Sequence, residues 1–189
     1  GGNMNLPDDI AIQWAHPVSV DFHARFSATA RRYRYVIYNH PMRPALMDKE
    51  VSWNYRPLDV ESMQQAANHL VGKHDFSSFR AAACQANTPV RTIHHLQVIK
   101  AGDYIVLDVR ANAFLHHMIR NLAGLLMKVG AGDAPSGWAL EVLATKDRRA
   151  SAATAPPYGL YFVNAEYDDR CGLPEQLMGP HFLTPWMNA

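Results

Sequence analysis

The chain has 189 residues, 48% of them hydrophobic, and a formal net charge of +1. That is enough apolar content to build a core in one large domain or two small ones. No run approaches the roughly 18 uninterrupted apolar residues of a membrane span, and no charged-then-apolar leader opens the chain. Cys84 and Cys171 have neither metal-ligand spacing nor the makings of a disulfide framework. These features predict an intracellular, cytoplasmic protein with two reduced thiols and no membrane contact.

The first regular element is predicted at Ala28–Asn39. There Arg31, Tyr33, Tyr35 and Ile37 alternate with Arg32, Arg34, Val36 and Tyr38, the period of a strand. Asp59 then stands as an N-cap before a helix over Val60–Val71, whose Met63, Ala66, Ala67, Leu70 and Val71 keep helical spacing up to Gly72. Arg91–Lys100 and Asp103–Ala113 read as two strands around a tight turn at Ala101–Gly102. From Leu115 the period changes again. Leu115, Met118, Ile119, Leu122, Leu125, Leu126 and Val129 mark one stripe of a long helix ending near Gly130. A shorter helix follows, with Pro135 near its start, and Gly159–Tyr167 closes the set as a strand.

Apart from the extra helix, this is the β-α-β-β-α-β order of ferredoxin-like α+β folds. Residues 1–27 are expected to be a linker and the start of the domain, 28–167 the ferredoxin-like domain, and 168–189 a C-terminal tail. Four-stranded sheets of this kind often serve as RNA platforms.

The small net charge hides a segregation. Phe22–Met47 holds five arginines (Arg25, Arg31, Arg32, Arg34, Arg43) and no acid, and Phe76–Gly102 adds Arg80, Arg91 and Lys100 on the same terms. Val109–Gly132 adds Arg110, Arg120 and Lys128, while the acids gather at Asp48–Glu61 and Glu166–Glu175. Such a distribution predicts a basic face suited to phosphates on a nearly neutral protein. The adjacent pairs His94–His95 and His116–His117 make poor metal sites. Strand neighbours point to opposite faces, and helical ligand pairs lie at i, i+4. No metal is expected.

The stretch Asp21–Asn39, with its interleaved arginines and tyrosines, joins phosphate contacts and stacking surfaces in one strand. As a sequence it resembles the central motif of the tRNA pseudouridine synthase A family. Four further segments match that family: Asn5–Ile10 its inter-domain link, Asn112–Asn121 its strand-to-helix motif, Tyr158–Val163 its last catalytic motif, and Met178–Gly179–Pro180 its closing pattern.

The resemblance implies half of a pseudouridine synthase fold. It implies an isomerase that converts uridine to pseudouridine at positions 38–40 of the tRNA anticodon arm, as a homodimer and without cofactor. It implies that Tyr33 stacks on the flipped uracil, that Leu160 covers the base from the other side, and that Arg120 pairs with the catalytic aspartate. Arg25, Arg31, Arg32 and Arg34 would contact the RNA. The family's aspartate belongs to a G-R-T-D-A-G type motif that does not occur in this sequence, and Asp8, Asp9 and Asp21 lie outside any such motif. The chain is therefore expected to be a truncated piece, inactive by itself. The alternatives are a non-enzymatic RNA-binding domain of ferredoxin-like shape, or an α+β domain for a small ligand or metal.

Overall fold

The computed structural model describes residues 1–175 and 179–183. Its centre is a six-stranded mixed sheet: β1 (Ala30–Asn39), β2 (Ser52–Asn54), β3 (Gly72–Asp75), β4 (Val90–Ala101), β5 (Tyr104–Ala111) and β6 (Leu160–Glu166). Three helices accompany it: α1 (Val60–Asn68), α2 (Met118–Gly130) and α3 (Trp138–Thr145). The path runs β2-β1-β5-β4-β3, and β6 lies antiparallel along the first half of β1, on the side where β2 runs parallel to its end.

β1 is central because both its faces can be buried. Tyr35 and Ile37 enter the main core with Leu107, Val109, Leu122 and Leu125 beneath the helices. Val36 points to the opposite face, into a smaller cluster with Val51, Val106 and Leu183. Each fully buried apolar side chain of this size contributes roughly 1.5–3 kcal/mol. Gly159 sits where β6 and β2 meet beside β1. It has φ +82°, its carbonyl accepts from Val36 N at 2.8 Å, and a Cβ there would run into the backbone of Val36 and Ser52. A side chain at that position would force the strands apart.

Several expected boundaries move. Asp59 caps α1 as predicted, accepting from Glu61 N and Ser62 N. The helix ends at Asn68, however, and Gly72 (φ +110°) opens β3 instead of closing a helix. β3 (Gly-Lys-His-Asp) and β2 (Ser-Trp-Asn) escaped the sequence reading because they are too short to show a period; pairing with β4 and β1 creates them. The hairpin turn falls on Gly102–Asp103, one residue later than expected, with Gly102 at φ +60°.

α2 starts at Met118 and not at Leu115, because His117 takes the left-handed conformation at φ 60° and breaks the helical run. Leu115 is nonetheless buried in the core. Met178 of the M-G-P motif lies outside the described residues. Gly179 packs on the face opposite the helices, where its carbonyl accepts from Arg34 Nη1 at 2.8 Å. Among the described residues no helix is long and apolar enough to cross a membrane.

Candidate active site

The helix-side face of the β1–β6 pair gathers the aromatic groups. Tyr33 pairs with Phe162 across the strands, their ring centroids 5.1 Å apart, and Phe114 meets Tyr33 edge-on at 5.1 Å. Two residues along, Tyr35 lies opposite Leu160 on the same face. Burial pushes the Tyr35 phenol up to about 12, against the pull of the Ser52 hydroxyl and then of the Arg120 charge, and its hydroxyl donates to Pro156 O at 2.9 Å. Burial likewise raises Tyr33, with Arg31 pulling the other way. Both phenols therefore stay protonated at neutral pH, as stacking and donating groups.

Arg120 reaches this corner from the first turn of α2. The left-handed His117 sets where that turn begins. Arg120 Nε donates to Ala155 O at 2.8 Å, and its own carbonyl accepts from Ala155 N at 3.1 Å. Nη1 lies 3.2 Å from His117 Nε2. A guanidinium has only donors, so that ring nitrogen must be the acceptor and the imidazole neutral. Burial, then the charges of His116 and Arg120, lower the pKa of His117 in keeping with this. Tyr33 and Leu160 thus share one sheet face, and Arg120 is close enough to influence Tyr35 between them.

The strap at residues 152–156 that receives Arg120 is itself clamped. Arg148 donates to Ala152 O, Asn121 Oδ1 and Thr154 Oγ1 at 2.8–3.0 Å, and Thr154 Oγ1 donates to Asn121 Oδ1 at 2.7 Å. Asn121, fully buried, donates to Phe79 O at 2.8 Å. A Cβ at Gly124 would run into the Ala153 carbonyl, so the strap lies against α2 with no room to spare. Sequence reasoning missed Phe114, Phe162, Asn121, Arg148 and Thr154 as parts of this corner. Asn121, Phe114 and Phe162 stood inside quoted motifs, but nothing local distinguished them.

The structure divides the arginines expected to bind RNA. Arg31 shares the Tyr33 side of β1 and donates to Ala28 O and Asn112 O at 2.9 Å and also to Arg25 O; Arg25 is exposed beside it. Arg32 and Arg34 point to the opposite face, where they are engaged by Asp108. Arg32 forms a fork with both carboxylate oxygens at 2.6 and 2.9 Å, and Arg34 Nε reaches Oδ2 at 3.0 Å. Asp108 and Arg34 are closed to solvent. The signal for Asp108 was available in the sequence: it is the one acid inside the alternating run Ile105–Ala111.

A cleft of about 720 Å³ does exist, but elsewhere. It lies between the N-terminal segment and residues 168–172, is lined by His16, Asp21, Phe22 and Asp168, and includes none of Tyr33, Arg120 or Leu160. Among the described residues no group of three His, Cys, Asp or Glu could hold a metal ion.

Tyr33, Phe162, Phe114 and Leu160 thus form an aromatic and aliphatic wall with the anchored Arg120 beside it. Residues 66–168 match the family model described as tRNA pseudouridine synthase. A protein named tRNA pseudouridine synthase A from Pseudomonas aeruginosa is 59% identical over 184 residues, covering 97% of this chain and 65% of the relative. Its namesake from Alcanivorax borkumensis is 56% identical over 189 residues, covering the whole chain and 71% of the relative, and that from Shigella boydii is 56% identical over 183. The chain belongs to the tRNA pseudouridine synthase family. It spans about two thirds of the length of these curated relatives.

Proposed function

We propose that this chain contributes most of the base pocket of a tRNA pseudouridine synthase, which isomerises uridine to pseudouridine at positions 38–40 of the anticodon arm. One observation carries the reading: Arg120 is held by main-chain Ala155 O and neutral His117 beside the Tyr33–Leu160 face, with no acid of its own. None of the ion pairs among the described residues includes Arg120. A cation fixed by neutral acceptors keeps its full charge for a carboxylate that arrives from outside, and it would hold that carboxylate ionised. The aspartate would come from the part of the full-length protein that this chain does not span. The uridine would be extruded at a cost of about a few kcal/mol, partly offset by stacking on Tyr33 and cover from Leu160. The aspartate then attacks the nucleoside, the glycosidic bond breaks, and the uracil turns and rejoins through carbon. No cofactor enters this scheme.

The test is tritium release from labelled uridine in tRNA by the full-length protein. We expect turnover, lowered on the order of 100- to 1,000-fold by Arg120→Met, since one preorganised charge in an active site is worth that much. An unchanged rate in that variant defeats the assignment of Arg120.

The strand order β6-β1-β5-β4 with α1 and α2 supports a ferredoxin-like core, with β2 and β3 as additions. We take 28–167 as that domain, 1–27 as the link into it and 168–189 as a tail. Of the four arginines expected on RNA, Arg31 shares the Tyr33 side of β1 and Arg25 is exposed, whereas Arg32 and Arg34 are bound to Asp108. The non-enzymatic alternative leans on the same arginine–tyrosine strand and gains nothing from this arrangement.

Binding of tRNA should weaken with salt at a log–log slope of about −3 or steeper, each neutralised phosphate contributing roughly −0.7 to −0.9. A flat response in filter binding from 50 to 300 mM KCl would count against a phosphate-binding face. We also propose a cytoplasmic homodimer. Exposed Ile10, Ile12, Trp14 and Phe26 in the N-terminal segment offer apolar surface for association. Sedimentation at several loadings should show a dimer, and a monomer at every loading would rule it out.

A further inference from the structure

The basic residues divide into two kinds by what holds them. Arg32 and Arg34 share the carboxylate of Asp108, and Arg110 is paired with Glu166. Arg80 and Arg91 have no such pairing among the described residues. Arg80 Nη2 donates to the carbonyls of Cys84 and Ala86 at 2.7 and 2.8 Å, and Arg91 Nη1 to those of Thr88 and Val90 at 2.9 and 2.6 Å. Carbonyls fix a guanidinium without cancelling its charge. Burial makes Arg91 easier to deprotonate, with the Cys84 thiol opposing that shift and the Arg80 charge adding to it. Arg91 Nε is buried without any partner. Two guanidinium groups on one loop, each anchored by carbonyls, with one donor unused, suit an anion.

The loop that carries them, residues 80–91, is bound to the start of α2. Ala81 N donates to His116 O at 3.1 Å, and His116 N to Cys84 Sγ at 3.3 Å. On its other flank Thr92 N donates to Asn112 Oδ1 at 2.9 Å, and Asn112 O is the acceptor of Arg31. The segments that carry Arg31, Arg80 and Arg91 are therefore all tied to residues 112–116, which lead into the first turn of α2 with Arg120, and Phe114 of that stretch packs on Tyr33. The whole stretch 76–102 contains no acid to interrupt them.

We propose that Arg80 and Arg91 form a phosphate site for the RNA backbone adjoining the flipped nucleotide. The ligand class is a phosphodiester, met by paired guanidinium donors. This rests on the RNA substrate proposed above. The strand would be positioned by these arginines while Tyr33 and Leu160 take the uracil.

The experiment is fluorescence anisotropy of a labelled anticodon stem–loop with the full-length protein across 50–300 mM KCl. Arg80→Gln and Arg91→Gln should each flatten the log–log salt slope by about 0.7 to 0.9 and weaken binding at low salt. Arg91→Lys should keep the slope, and Arg149→Gln, whose side chain is exposed and paired with Asp147, should leave it unchanged. In the unaltered protein, phenylglyoxal labelling of Arg80 and Arg91 should fall several-fold when RNA is bound, a readout that does not depend on the variants folding. Slopes unchanged in both Gln variants, or labelling of both residues unaffected by RNA, overturn the site. A wild-type protein that shows no salt-dependent RNA binding overturns instead the RNA-substrate reading on which it rests.

Discussion

The 189-residue chain by itself should release no tritium from uridine-labelled tRNA, whereas the full-length protein should do so readily. The reason lies in where its acids are. Asp108 and Glu166, the acids nearest the arginine strand, are committed on the opposite face to Arg32, Arg34 and Arg110. Asp8, Asp9 and Asp21 are exposed on the irregular N-terminal segment. No carboxylate among the described residues pairs with Arg120. Without the proposed nucleophile the covalent intermediate of that scheme has nothing to form on, and the loss should be complete instead of partial. Stem–loop binding should survive, because the arginines and the aromatic wall are present. Turnover by the homogeneous chain near the full-length rate would overturn the proposal that the nucleophile comes from outside it.

The second large effect is on stability. Asp108→Ala should destabilise the fold by about 3–5 kcal/mol, because it leaves buried guanidinium charge without its carboxylate. The side chain of Asp108 is 1% exposed and that of Arg34 7%, so water cannot take over the lost role. For a chain of this length that is a fall in melting temperature of roughly 10 °C. Asp108→Asn should recover part of the loss by keeping hydrogen-bond acceptance. Thermal denaturation followed by circular dichroism checks both, and a shift of less than about 2 °C for Asp108→Ala would show that this pairing contributes little. Arg149→Ala, which removes an exposed pair with Asp147, should barely move the transition.

Much of the fold could be read in the residues themselves. Long periodic elements declared themselves: the alternation of Arg31–Tyr38 became β1, the stripe from Met118 to Val129 became α2, and Asp59 proved to be a cap. Periodicity is a local property, and it holds where an element is long enough to show it. β2 and β3, of three and four residues, have no period to read and exist because β1 and β4 offer them edges. The entry into α2 was misplaced by three residues, since the left-handed turn at His117 carries no compositional mark.

For the site, the sequence by itself determined which residues to examine: Tyr33, Arg120 and Leu160 stood in motifs far apart along the chain. It also settled the alternation that places Arg31 and Tyr33 on one side of β1 and Arg32 and Arg34 on the other. Only the tertiary structure decided which of those sides faces the helices and Arg120, and which arginines have their charge offset by a carboxylate. Charge counting treats every arginine alike, whereas the field outside the protein depends on whether a carboxylate or a carbonyl holds the guanidinium. Asp108, seventy-four residues beyond Arg34, removes that arginine from the account, while Ala155 O, thirty-five residues beyond Arg120, holds that one charged beside Tyr35. Such pairings follow from strand register and the path of a strap, and neither is a property of any one segment.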